Sequence, residues 1–285
     1  MKFENTKIWG FEHALRGMRN PKNSWDRSDS IFGIRNLSNG DEELNIVSED
    51  WTKYDGYEFE DENFNKHLLE RENWLSENGI LNLNPIQQLA NIAYIGPKDM
   101  KLAQTLINSG PEHRKFLRQI FVSVDITAPL YFFKEFDTYK IGTTANSTST
   151  MHKLTSKPIT LDCFETDDFN EDLEYYKGNT TGMLSEIIIE QLEYLRQKYL
   201  ETKDKKYWKE LVRWLPESWL QTRTWSANYE VVRSICQQRR NHKLNEWAGK
   251  DDPSKNNFIK WAREELPYAQ YLIFDDENIP FQIEK

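Results

Sequence analysis

Ten residues, 118–127, constrain this chain most. Ile120, Val122, Val124 and Ile126 alternate with Phe121, Ser123, Asp125 and Thr127. A period of two is the pattern of a strand with one buried face. Pro129 has no N–H to give to a ladder and stops the strand. The next stretch, PLYFFKEFDTYK, reads as a helix with proline near its first turn. One clear strand among several helical stripes points to an α+β fold rather than an all-helical one.

The helical stripes are spread along the chain. Ile8, Trp9, Phe11, Leu15 and Met18 give a rough one over 5–18. Residues 85–109 read as helices, with Pro97 at a helix start and Gly110-Pro111 as the stop. Met183, Leu184, Ile187, Ile188, Leu192, Leu195 and Tyr199 predict a long helix over 182–200. Further helices are expected at 205–214, 226–247 and 257–266. Between the first two lies a polar loop, 19–29, whose donors suit either a phosphate or a capped turn. Residues 40–80 are acidic and aromatic, as in a solvated helical hairpin or an insertion. Gly142 to Thr150 is small and hydroxyl-rich, so it reads as a loop or an exposed helix start. The expectation is one α+β domain, with 1–100 an elaboration packed on a core of 101–285.

Composition removes some functions. The net charge is −9, which lacks the basic footprint of a nucleic-acid binder. A small phosphate ligand needs only two or three local cations and stays open. Cys163 and Cys236 form neither a CxxC nor a metal-ligand spacing. No zinc pattern, HExxH, Walker loop or GxSxG is present. The first residues carry no long apolar run, and no stretch approaches the ~18 apolar residues of a membrane helix. A cytoplasmic protein is expected.

Several ordered segments carry a resemblance. Leu215-Pro-Glu-Ser-Trp-Leu-Gln-Thr-Arg-Thr-Trp-Ser-Ala-Asn228 resembles the LP…T…W[ST]xN stretch of the flavin-dependent thymidylate synthases. From Asn228 a helix runs to Arg239, the spacing from that family's helix-starting Asn to the Arg of its "LR" element. Leu244-Asn245 stands where the family has Ala-Gln, and 258–273 is similar to its closing helix, proline and aromatic run. Upstream, Ile107-Asn-Ser-Gly110-Pro-Glu-His113 resembles the family's Gly-His…Glu-His element. The matches cover 101–273. They imply a helix-rich α+β fold with a central, mostly antiparallel sheet. They also imply a homotetramer whose nucleotide sites draw on several subunits.

The family signature RHRxxSxNExSxRY falls on Thr138 to Met151, where the chain departs from it. Arg-His-Arg is gone, with Tyr139 and Lys140 nearby. Asn146 and Ser149 stand opposite the family's Asn and Ser, and Ser147 replaces its Glu. After Asn228 come Tyr229 and Glu230 where the family has NxR.

The resemblance assigns roles. Arg239 would bind the uracil of dUMP and stabilise negative charge on the ring, which a planar, always-charged guanidinium does well. A surface arginine like Arg240 is the plain alternative. Arg213 would contact nucleotide phosphate or sugar, or simply end a helix. Lys134, Lys140 and the hydroxyls of Thr143, Thr144, Ser147 and Ser149, with Asn146 as a further nucleotide contact, would make an anion site, or an ordinary N-cap cluster. His113, Lys134, Tyr139 and Asn228 would lie at the FAD, His113 being otherwise a structural turn residue.

Two functions follow and a third stands behind them. One is an FAD-dependent enzyme that transfers a one-carbon unit to ring carbon 5 of dUMP or a related pyrimidine nucleotide, with NADPH and methylene-tetrahydrofolate as co-substrates. The second is a binder that keeps the nucleotide pocket and has lost the flavin site. The third is a partner-binding protein that uses the acidic 40–80 segment.

Overall fold

The computed structural model describes residues 1–33 and 92–274. The acidic 40–80 segment and residues 85–91 lie outside them. The fold is α+β with a four-stranded antiparallel sheet, as the resemblance implies. The order of elements is β1 Lys2–Trp9, α1 Phe11–Arg19, β2 Ile31–Gly33, β3 Ile92–Tyr94, α2 Pro97–Asn108, β4 Phe121–Pro129, α3 Leu130–Phe136 and β5 Thr144–Ser147. Then come β6 Glu174–Tyr176, β7 Asn179–Thr180, α4 Thr181–Thr202, α5 Lys205–Arg213, β8 Leu220–Asn228, α6 Tyr229–Arg239 and α7 Phe258–Glu265. The main sheet runs β1-β4-β8-β5, while β2 pairs with β3 and β6 with β7.

The register of β4 on β8 is written in side chains. Thr127 meets Thr222 at 2.7 Å, Asp125 accepts from Thr224, and Ser226 donates to Ser123 at 3.1 Å. Each step forward on one strand is a step back on the other, so the pair is antiparallel. This polar row occupies one face. On the other, Val122, Val124, Ile126 and Ala128 are buried, as the alternation predicts.

The chain divides into two compact units. The first comprises Met1–Glu4, Val124–Trp225 and Asn241–Phe258. Its core is aromatic. Phe132 lies 4.4 Å from Trp247 and Phe136 lies 4.9 Å from Trp225, ring centre to ring centre, with Phe258 beside both tryptophans. Each such pair adds about 0.5–1.5 kcal/mol beyond the area it buries. A second apolar cluster joins Leu154, Ile159, Cys163 and Phe164 to Leu192 of α4 and Leu211 of α5. Thr180 caps α4, accepting from the Met183 N–H, and Asp204 caps α5 through the Lys206 N–H. Lys203, at φ 56, turns the chain between the two helices.

The second unit comprises Asn5–Ser123, Ser226–Arg240 and Ile259–Lys285. Here α1 buries Phe11, Ala14, Leu15 and Met18, α2 buries Met100, Ala103 and Ile107, and α6 buries Tyr229, Val232, Ile235 and Cys236. A buried ion pair ties the polar loop down. Arg19 Nε donates to Asp99 Oδ1 at 2.5 Å, and Asp99 Oδ2 accepts from the hydroxyls of Ser28 and Ser30. Arg19 also donates to the carbonyls of Ser24 and Arg27. Arg19 of the 19–29 loop is therefore spent on the protein itself, as in a capped turn.

Four readings of secondary structure need correction. Residues 2–9 are a strand, not the start of a helix over 5–18. Gly10 divides strand from helix with φ 97, and a Cβ there would lie 2.2 Å from the Gln119 carbonyl oxygen. Residues 92–94 are a strand rather than part of a helix. The hydroxyl-rich stretch contains a strand, β5, at the sheet edge. The helix expected over 226–247 ends at Arg239, and a single turn, Asn245–Ala248, follows after a break.

Candidate functional site

A pocket of about 290 Å³ opens in the first unit, at the segment where the sequence departs from the signature. Phe136 and Trp225, both almost fully buried, form its apolar floor. Phe136 ends α3, whose proline-led first turn is pinned by the Leu130 and Tyr131 N–H groups donating to the carbonyls of Trp219 and Glu217. Trp225 comes from β8, on the strand face that also carries Gln221, Arg223 and Ala227. The rim is polar: Asp137, Tyr139, Lys140, Thr143 and Thr144, with Ala145. The Thr143 hydroxyl donates to the Tyr139 carbonyl at 2.7 Å, which tightens the turn between them. The Tyr139 ring stands edge-on to Trp247 at 6.3 Å.

Two rim residues are charged, Asp137 and Lys140. Asp137 is neutralised by Arg223, whose Nη1 donates to Oδ1 at 2.6 Å. Among the described residues Lys140 has no ion-pair partner, so its ammonium is the charge left over. An apolar aromatic floor with a cation and the Thr144 hydroxyl at the mouth suits a flat ring that bears an anion. Elsewhere in this unit the phenol of Tyr131 donates to Glu246. Burial, and then that carboxylate, hold its pKa well above the ordinary tyrosine value. Among the described residues no group of His, Cys, Asp or Glu is arranged to hold a metal ion.

The residues expected at the site are placed as follows. Tyr139 and Lys140 line the pocket, with Thr143 and Thr144. Asn146 and Ser147 lie exposed on β5. Ser149 caps the helical turn Thr150–Lys153 by accepting from the His152 N–H at 3.2 Å, so for this residue the N-cap reading holds. Lys134 is exposed and paired with Glu217 at 2.7 Å. Arg213 is exposed at the end of α5 and paired with Glu210. In the second unit, His113 is half exposed in a turn, 3.7 Å from Glu112. Asn228 caps α6, its Oδ1 accepting from the Val231 N–H at 3.1 Å. Arg239 is the last residue of that helix and is partly buried. The buried arginine of α6 is instead Arg233, which donates to the Ile273 carbonyl at 2.9 Å.

Sequence reasoning missed the pocket's floor and its acid. Phe136 and Trp225 read as ordinary core aromatics. Asp137 carried no signal beyond its place beside Tyr139 and Lys140.

No protein-family profile matches the sequence, and no curated protein does. Solved structures do match. A crystal structure of the flavin-dependent thymidylate synthase ThyX from Helicobacter pylori, complexed with FAD and dUMP, aligns with a TM-score of 0.54 at 14% identity. The alignment covers 96% of this chain and 99% of that one. A second structure of ThyX from that organism, with FAD and dUMP, aligns with a TM-score of 0.55 at 14% identity over 96% and 98% of the two chains. The chain has the flavin-dependent thymidylate synthase fold.

The flavin itself is tested by what the residues are doing. A dinucleotide needs cations or N–H groups turned toward its pyrophosphate. Lys134 is committed to Glu217, Asn228 to its helix cap and Arg223 to Asp137. The pocket of about 290 Å³ is at the small end for ligand sites, which run from roughly 300 to 1,000 Å³. The described residues do not compose a flavin cradle.

Proposed function

We propose that the protein binds a pyrimidine nucleotide, with the ring or sugar on the Phe136–Trp225 floor and the phosphate at Lys140 and the Thr144 hydroxyl. The observation that carries this reading is the pocket itself. It lies at the segment that replaces the fold family's signature, and it keeps an aromatic floor and a spare cation. A monophosphate asks for one strong cation and a few donors, which this rim supplies. The similar solved structures hold dUMP, so dUMP is the first ligand to try. A cytoplasmic homotetramer is part of the proposal. Asn146 and Ser147, exposed at the sheet edge, then join the site as outer donors.

A second reading is the FAD-dependent enzyme, favoured by the FAD held in those same structures. That enzyme would need flavin contacts beyond those the described residues supply, and would use NADPH and methylene-tetrahydrofolate as co-substrates. Arg239 would stabilise charge on the ring, and Arg213 and His113 would serve as ligand contacts. One experiment separates the readings. The purified protein is scanned for flavin absorbance and then titrated with FAD, with and without dUMP. A colourless protein that binds dUMP and ignores FAD supports the binder. Tight FAD binding overturns it in favour of the enzyme.

A further inference from the structure

The pocket rim belongs to one segment, 137–150, and β8 holds that segment at both ends. At the start, Arg223 Nη1 donates to Asp137 Oδ1 at 2.6 Å. At the end, Gln221 Nε2 donates to the Thr148 carbonyl at 3.0 Å. The two ties are themselves joined, because Arg223 Nε donates to Gln221 Oε1 at 2.9 Å. Both sides of the Gln221 amide are used, which fixes its orientation. The guanidinium is held flat over the Phe133 ring, 3.9 Å from its centre. Arg223 and Gln221 alternate with Thr222 and Thr224 along β8, on the same strand face as Trp225 of the pocket floor.

Arg223 is partly buried and Asp137 is exposed, so the pair adds little stability as an ion pair. What it supplies is geometry: a planar guanidinium that meets Asp137 and Gln221 at once. Between the two ties run Tyr139, Lys140, Thr143 and Thr144, the polar half of the pocket. They lie on a turn and an exposed edge strand that have little apolar anchorage of their own.

We propose that Arg223 and Gln221 are positioning residues: a linked clamp on β8 that sets the spacing of the 137–150 rim, so that Lys140 and the Thr144 hydroxyl converge on one anion. The inference rests on the nucleotide reading for its ligand, and on the hydrogen bonds alone for the clamp. It differs from a purely structural role in what it demands of the side chain. A lysine at 223 reaches Asp137 or Gln221, not both in one plane.

The test uses the full chain and two readouts. Hydrogen exchange is measured at the amides of 143–148 without ligand, and dUMP affinity is measured by calorimetry. Arg223→Gln is expected to speed exchange at 143–148 about tenfold while α4 stays protected, and to weaken dUMP binding about tenfold. Arg223→Lys should recover part of both losses. Should Arg223→Gln not fold, Gln221→Leu keeps the Asp137 tie and frees only the Thr148 end. Its exchange should then rise at 146–150 and not at 137–140. Unchanged exchange at the rim in these variants overturns the clamp. Failure of the wild-type protein to bind dUMP overturns the nucleotide reading instead, and the exchange data then judge the clamp by themselves.

Discussion

Replacing Asp99 by asparagine should be one of the most damaging single-atom changes available in this chain. Asp99 is fully buried and Arg19 nearly so. The carboxylate accepts from Arg19 Nε at 2.5 Å on one oxygen and from Ser28 and Ser30 on the other. Asparagine offers one accepting oxygen and one donating NH2. Turned toward Arg19, the oxygen keeps that contact, but the NH2 then faces two hydroxyls that were donors. Ser30 Oγ already accepts from the Gly96 N–H at 3.1 Å, so it has little room to reverse. The arginine also loses its counter-charge where water cannot replace it. Breaking a buried pair at one partner costs about 3–5 kcal/mol, more than a surface pair is worth. For a chain of this size that lowers the melting temperature by roughly 6–15 °C. Urea denaturation of wild type and Asp99→Asn, followed by tryptophan fluorescence, measures it directly. A loss under about 1 kcal/mol would refute the reasoning, because Arg19 would then have found another partner or water.

Two further outcomes follow from local geometry. Arg196 grips Glu193 through two 2.7 Å contacts and holds its carboxyl down at about 2, below the ordinary glutamate value of 4.5. A depressed carboxyl stabilises the fold above its unfolded pKa and loses that contribution as pH falls toward the folded one. Wild type should therefore lose stability between pH 4.5 and about 2 by more than Glu193→Gln does, and equal slopes in acid titration would contradict the pairing. Gly10→Ala forces a Cβ onto the Gln119 carbonyl at a positive φ, so it should destabilise by about 1–3 kcal/mol in thermal melts, whereas Gly178→Ala, with open space around it, should cost less.

How much of this was legible depends on what each residue buries. The strand at 118–127 was readable because Ile120, Val122, Val124 and Ile126 all face the core. The long helix was readable over 182–200 because its apolar stripe is nearly continuous, and it extends only to Thr181–Thr202. β8 hid itself: two of the residues on its inward face are Gln221 and Arg223, whose partners come from the distant 137–150 segment. No periodicity rule credits an arginine as core unless its acid is known. β5 was invisible for the opposite reason, since all four of its residues are exposed and only backbone pairing makes it a strand. The helix expected to run to residue 247 stops early because His242 turns its imidazole to its own chain. There Nδ1 accepts from the Leu244 N–H while Nε2 meets Glu135, which holds a break that the sequence pattern runs through. Tyr139 and Lys140, singled out by their position against the signature, line the pocket. The aromatic floor was not singled out, because a buried Trp or Phe looks the same in sequence whether it faces a cavity or a neighbour.

Calorimetric titration of dUMP into the wild-type protein and Lys140→Ala tests the central claim most directly. Saturable binding by wild type, weakened about tenfold or more on loss of the Lys140 ammonium, is the result expected for a phosphate held at this rim. Binding unaffected by Lys140→Ala would place the nucleotide elsewhere, and no binding at all by wild type would contradict the nucleotide reading.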